Sequence, residues 1–372
     1  MRKYDVIVLG VGGMGSAACF QLAKRGVSVV GIEQFSRAHD RGSSHGNSRL
    51  IRKAYFEHPD YVPLCERSYL GWDAIREELG VSLFHPTGLV IFGPSDHSEV
   101  LEGVLKSAVL HQLDVEEVPA GKVRERFPQF SPPLDYRAVW EPGAGFLEVE
   151  NCILANLKLA ENNGAEIREG ERAVSWKSDA NGVEVVTDKE TYSASRLVIA
   201  AGPWSTQILK DLELPLVVKR VPQLWFSAPA ALSEKGGAPC YAFALPEGFY
   251  YGVPAREGFG IKLASHVPGE GVTDPYQLRR ELLPEDLAAV ERIRRDFLPG
   301  VGKIPERHAI CMYTLTPDEN FILDLHPRFS NVSFVAGLSG HGFKFAPVLG
   351  EALADLALKG ETSLPVKFLK RR

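Results

Sequence analysis

The sequence of 372 residues has no excess of positive charge: 42 Lys and Arg face 47 Asp and Glu, a formal net charge of −5. Nucleic-acid binding usually needs a basic surface, so that class is set aside. No apolar run approaches the ~18 residues of a membrane span, and no membrane contact is expected. Cysteine is scarce: Cys19, Cys65, Cys152, Cys240 and Cys311 are odd in number, scattered, and form no CxxC pair. That excludes a disulfide framework and a zinc-site pattern, and it fits a reducing cytoplasm. The ten histidines lack metal-ligand spacing, so no metal is expected. Internal repeats and low-complexity tracts are also missing. What is present, 45% apolar and 24% charged residues, is ordinary for a globular protein. The length suits two domains, or one large α/β unit with an insertion.

The opening MRKYDVIVLG mimics a secretory leader, but Asp5 interrupts the apolar run and glycines stand where a cleavage site belongs. Val6-Ile7-Val8-Leu9 reads instead as a parallel strand buried on both faces. The turn GVGGMG follows at 10–15, then an Ala- and Leu-rich helix that Gly26 can end, then a strand over 27–32 closing on Glu33. A half-exposed strand is also expected at 183–186, apolar strands at 197–201 and 332–336, and shorter β pieces at 248–252 and 260–263. A charged helix is expected from about 284 to 295, and another starting at Pro347. Nucleotide-fold signatures thus occur at the start, near residue 200 and at the end. One domain built from three separated segments, with a second domain inserted, explains this pattern best.

Gly10-x-Gly12-x-x-Gly15 lies between a strand and a helix, and Glu33 lies 18 residues beyond its last glycine. This is a dinucleotide-binding context: glycines admit the pyrophosphate, the helix N-terminus stabilises its charge, and the carboxylate takes ribose hydroxyls. The motif does not separate FAD from NAD. His45, Arg49, Arg52 and Lys53 cluster within RGSSHGNSRLIRK at 41–53, either as a solvated basic loop or as an anion cradle. GLSGHGFKF at 337–345 repeats the strand, Gly-rich loop and helix start. Its N–H groups and Lys344 suit an anion, although a structural helix start with an exposed lysine is the plainer reading. Cys311 sits in a polar and aromatic run, HAICMYTLTPDENFILD, where a lone cysteine is most often a small buried hydrophobe.

GSSHGNSRLIRKAY at 42–55, YYGVP at 250–254, GIKLASH at 260–266, CMYTLTPDENFILD at 311–324 and GLSGHGFKF at 337–345 carry a family resemblance. The chain resembles the monomeric sarcosine oxidase family of flavoprotein amine oxidases, which includes N-methyltryptophan oxidase and peroxisomal sarcosine/pipecolate oxidases. The resemblance covers nearly the whole length. It implies a Rossmann-like FAD-binding domain of the D-amino-acid-oxidase type, formed by 1–84, 145–215 and 319–372. It also implies an inserted α+β substrate domain with an antiparallel sheet, formed by 85–144 and 216–318. It implies FAD attached through Cys311, held by Gly10, Gly12, Gly15, Glu33, Gly42, Ser43, Ser44, Arg49, Val174, Gly202, Met312, Gly340, Phe343 and Lys344.

By the same resemblance, Arg49 sits against the flavin ring and Lys262 lies near flavin N5 and activates oxygen. Arg52 and Lys344 hold the substrate carboxylate, and His266, Tyr251 and Tyr313 line the substrate pocket. Ser44 and Ser48 replace a histidine and a threonine of some members, which leaves the substrate open. The implied reaction oxidises a small secondary amino acid, sarcosine first, giving glycine and formaldehyde by way of an imine, and hydrogen peroxide from O2. N-methyltryptophan, pipecolate and proline are the alternative substrates. An NAD-dependent dehydrogenase and a non-catalytic flavin-binding module are the rival classes. A monomer is implied. The C-terminal FLKRR is not a peroxisomal SKL address, so a cytoplasmic enzyme is expected.

Overall fold

A computed structural model describes residues 2–96 and 98–371. Arg372, the end of the C-terminal tail discussed above, lies outside the described residues. The opening residues form the strand Arg2–Leu9, whose Val6, Ile7 and Val8 are fully buried. It lies between the parallel strands Val29–Ile32 and Thr191–Ile199. Glu166–Arg168 extends the sheet in parallel on one side, and Phe329–Ala336 pairs in parallel with Thr191–Ile199. Ala173–Asp179, Gly182–Thr187 and Ile322–His326 complete this eight-stranded sheet with antiparallel pairings. Helix Gly13–Ala23 packs against Val149–Asn162 and Ala346–Lys359, and their facing side chains form one apolar core. The helix at Pro347 begins one residue earlier than expected, at Ala346, with the proline in its first turn.

The second eight-stranded sheet draws on 89–141 and 217–315. It runs Pro305–Leu315, Val217–Phe226, Ile261–Ser265, Gly248–Val253, Cys240–Leu245, Leu89–Pro94, Tyr136–Glu141, Glu116–Val118. All its pairings are antiparallel except that between Cys240–Leu245 and Leu89–Pro94. Helix Pro284–Phe297 covers one face through Val290, Ile293 and Phe297, closing an aromatic core around Phe92, Phe130 and Phe243. A three-stranded sheet of Ser48–Ile51, Gly145–Glu148 and Phe84–His85 ties the two units together. The basic segment is therefore no solvated loop: His45 and Arg52 are buried, and residues 48–51 are a strand. Helix Tyr61–Leu79 is a feature that the sequence reading did not anticipate.

Candidate active site

The glycine turn shapes a cavity of about 690 Å³. That lies within the ~300–1,000 Å³ usual for cofactor sites. Gly10 has φ +81°, and a Cβ at Gly15 would stand 1.8 Å from the Gly10 carbonyl oxygen, so helix and strand meet there only without side chains. Gly12 faces open space within the cavity wall, which lets the backbone approach a ligand. Glu33 is buried; its carboxylate accepts from the Val11 N–H at 2.9 Å and the Phe35 N–H at 3.1 Å. Glu33 is also one of the residues lining the cavity. Gly42, Ser43, Ser44, Arg49, Val174, Gly202, Met312, Tyr313, Gly340 and Phe343 line it as well. Gly15, Cys311 and Lys344 do not line it, although each is the chain neighbour of a residue that does, Met14, Met312 and Phe343. Trp204 Nε1 and Thr314 Oγ1, both on residues of this wall, are buried with no hydrogen-bond partner among the described residues. A long polar ligand with a pyrophosphate fits such a lining, as FAD requires.

Behind the wall, Cys311 is 1% exposed and donates to the Ser43 carbonyl at 3.2 Å. Arg49 donates to Ser43 O at 2.9 Å, Ser48 O at 2.9 Å, Gln223 Oε1 at 3.0 Å and Cys311 Sγ at 3.4 Å. Lys262, also 1% exposed, donates to Ser48 O at 2.8 Å and Gly46 O at 3.2 Å, with its ammonium 5.2 Å from the Trp225 ring centre. Burial, and then the charge of Arg49, hold its ammonium well below the ordinary lysine range. Glu150 accepts from the N–H groups of Gly46 and Asn47 and so fixes the turn that supplies these carbonyls.

A second cluster lies around Tyr313. His266 Nδ1 is 3.1 Å from the Tyr313 hydroxyl, which is 3.5 Å from the Tyr251 hydroxyl. Burial pulls the His266 imidazole down to about 4 and pushes both phenols up, so all three groups are neutral near pH 7. Lys344 donates to His341 O at 2.7 Å and to the Tyr55 hydroxyl at 3.0 Å. His341 Nε2 faces the Glu319 carbonyl at 3.0 Å and must carry the proton; Nδ1 therefore accepts from the Tyr55 hydroxyl at 2.8 Å. Both acceptors of Lys344 are neutral, and burial with the nearby Arg52 charge pulls its ammonium down to about 8.

Arg52 differs from the carboxylate anchor that the resemblance implies. One of its nitrogens donates to both Glu57 carboxylate oxygens at 2.7 Å, and the other to the Ala54 carbonyl at 2.6 Å. Its guanidinium lies over the rings of Tyr55 and Phe56. Burial pushes the Glu57 carboxyl up, but Arg52, His341 and Lys344 outweigh burial and hold it at about 2. Lys53 points instead to the Tyr69 ring, its ammonium 5.0 Å from the ring centre. Tyr55, Glu57, His341, Gln223 and Glu150 were not singled out from the sequence. Only Tyr55 and His341 stood inside the quoted motifs, and their pairing across 286 positions carries no local signal.

Comparison with known proteins decides the family. The FAD dependent oxidoreductase profile matches residues 5–356. Monomeric sarcosine oxidase of Bacillus sp. (strain B-0618) is 38% identical over 364 residues, covering 96% of this chain and 93% of the relative. The chain belongs to the monomeric sarcosine oxidase family. It is an FAD-dependent amine oxidase acting on CH–NH bonds, and the NAD-dependent alternative falls with that assignment. Monomeric sarcosine oxidase of Streptomyces avermitilis is 39% identical over 375 residues, covering 99% and 97% of the two chains. N-methyl-L-tryptophan oxidase of Yersinia pestis (strain Pestoides F) is 37% identical over 356 residues, covering 95% of each. Among solved structures, NikD, an amino acid oxidase essential for nikkomycin biosynthesis, superposes with a TM-score of 0.88 at 26% identity, covering 100% of this chain and 98% of that one. L-proline dehydrogenase from P. horikoshii shares the fold at 22% identity, with a TM-score of 0.86 over 99% and 97% of the chains.

Proposed function

We propose that this enzyme oxidises a small N-alkyl amino acid, sarcosine first, giving an imine that water hydrolyses to glycine and formaldehyde, with hydrogen peroxide formed from O2. The observation that carries this reading is Lys344: a buried cation beside the cofactor wall whose hydrogen-bond acceptors are both neutral. Arg52 balances Glu57, and His266 and His341 are neutral, so this pocket keeps one positive charge and lacks one anion. A substrate carboxylate supplies it. Bound FAD supplies the two-electron redox chemistry.

The residues of the chain then have separate tasks. Lys344 holds the carboxylate, and Arg52 joins it when the carboxylate competes with Glu57 for the guanidinium fork. The same cations, together with desolvation, disfavour a protonated amine and leave the nitrogen lone pair free. His266, Tyr313 and Tyr251 form a neutral wall that excludes water from the reacting C–N bond. Lys262 and Arg49 are a second pair of buried cations, placed to stabilise negative charge that develops on oxygen and at the cofactor. We assign covalent attachment to Cys311, because its neighbours Met312 and Tyr313 line the cavity. Phe56 and Phe249 meet at 5.4 Å, and Phe249 lies 6.0 Å from His266, an aromatic wall that favours a small side chain over an indole. Five buried free thiols accord with a reducing cytoplasm, and the names of the relatives support a monomer.

The deciding experiment is a peroxide assay of the yellow protein over sarcosine, N-methyltryptophan, pipecolate, proline and glycine. Sarcosine should give the largest kcat/KM. Bound flavin with no peroxide from any of the five would overturn the reading in favour of a non-catalytic flavin module.

A further inference from the structure

Gln223 is 1% exposed, and its side chain stands among the cations of the oxygen-side cluster. It projects from strand Val217–Phe226 between two informative neighbours: Val221 pairs with Cys311 across one strand boundary, and Trp225 pairs with Lys262 across the other. Alternation along the strand puts residues 221, 223 and 225 on one face, so Gln223 lies between the attachment cysteine and the lysine. Its Oε1 accepts from Arg49 at 3.0 Å. Arginine only donates, so the amide cannot be turned round, and Nε2 must point away from Arg49. That Nε2 is buried and has no hydrogen-bond partner among the described residues. It also packs against Gly46, where a Cβ would fall 2.6 Å from Oε1 and 2.9 Å from Nε2. The Gly46 carbonyl is one of the two that hold Lys262.

We propose that Gln223 is a positioning residue that fixes Arg49 without neutralising it, so that the Arg49 charge stays available on the flavin side. A carboxylate at 223 would hold the guanidinium equally well but would cancel its charge. A neutral carbonyl holds the guanidinium and leaves its charge uncancelled. This inference rests on the reading of Lys262 and Arg49 as flavin-side cations.

The test compares the flavin-loaded unmutated enzyme with Gln223→Glu, Gln223→Leu and Lys262→Met. Sulfite, an anion that adds to oxidised flavin, is titrated by absorbance, and the flavin midpoint potential and the rate of reoxidation by O2 are measured. Gln223→Glu should weaken sulfite binding at least tenfold and lower the potential by about 30 mV, the two-electron equivalent of a tenfold change. Gln223→Leu should weaken sulfite severalfold and slow reoxidation, with anaerobic reduction by sarcosine nearly unchanged. Unchanged sulfite affinity and potential in both Gln223 variants, with Lys262→Met still slow to reoxidise, would overturn the role of Gln223 alone. Unchanged reoxidation in Lys262→Met would overturn the reading beneath it. Loss of flavin from both Gln223 variants would make the residue a support of the fold and would also overturn the proposal.

Discussion

If Lys344 receives the substrate carboxylate, affinity for a simple carboxylate should follow its ionisation. Propionate isolates this interaction because it has no amine to titrate. In the free enzyme Lys344 is held at about 8. Lysine is charged below its pKa, and a bound anion raises that pKa, so binding is tightest below about 8 and weakens above it. With a pKa near 8, about nine-tenths of Lys344 is protonated at about pH 7 and about one-tenth at pH 9, so the dissociation constant should rise roughly tenfold across that interval. Glu57, held at about 2, and His266, held at about 4, do not change charge in this window. Lys344→Met should weaken propionate by about 30-fold or more, the low end of the ~2–5 kcal/mol cost of removing one partner of a buried charge pair. It should also leave the remaining affinity flat with pH. The assay is the flavin absorbance change on propionate titration at half-unit pH steps. A flat profile in the unmutated protein, or the same slope in Lys344→Met, would refute the argument.

Glu57→Gln should free the Arg52 fork and tighten propionate severalfold, while thermal unfolding shows a loss of about 3–5 kcal/mol for the broken buried pair. Cys311→Ala should release the yellow colour on acid precipitation, whereas the unmutated protein stays yellow; colour in the unmutated supernatant would dispose of covalent attachment. Lys262→Met should slow flavin reoxidation by orders of magnitude and spare anaerobic reduction, as read by stopped-flow absorbance. Gly15→Ala should yield little folded, flavin-loaded protein, because its Cβ would stand 1.8 Å from the backbone oxygen of Gly10; normal yield and flavin content would contradict the packing.

The features legible in the sequence were those whose cause is local. The first strand, its glycine turn and the helix after it each depend on neighbours in the chain, and they stand where the apolar run and the GxGxxG spacing put them. The helix Pro284–Phe297 extends only two residues past its expected end. Helix Tyr61–Leu79 was missed although its buried positions 61, 65, 68, 72 and 75 recur at helical spacing, because the polar Ser68 sits in that stripe and the apolar Leu70 lies outside it, exposed. The partners within the site escaped for a different reason. Cys311 meets Arg49 across 262 positions and Lys344 meets Tyr55 across 289, contacts that only the folded sheet and helix ends create. Gln223 carried no motif at all, and its meaning depends on which of its two amide atoms faces Arg49.

The division of charge within 48–57 shows how little sequence separates two arginines with different electrostatic surroundings. Arg49 and Arg52 are three residues apart, on and just beyond the strand Ser48–Ile51. Arg49 stays within the strand and turns towards Cys311 and Gln223, where every acceptor is neutral. Arg52 follows the strand's last residue, where the chain bends, and its guanidinium folds back onto Tyr55, Phe56 and Glu57. A cation held only by neutral groups keeps its field for whatever forms beside it. A cation paired with a carboxylate gives up that field until another carboxylate competes for the fork. The first arrangement suits charge that appears during the reaction, and the second suits charge that arrives with the substrate. The basic cluster in this segment therefore contains two devices of opposite electrostatic design, distinguished by one carboxylate, Glu57.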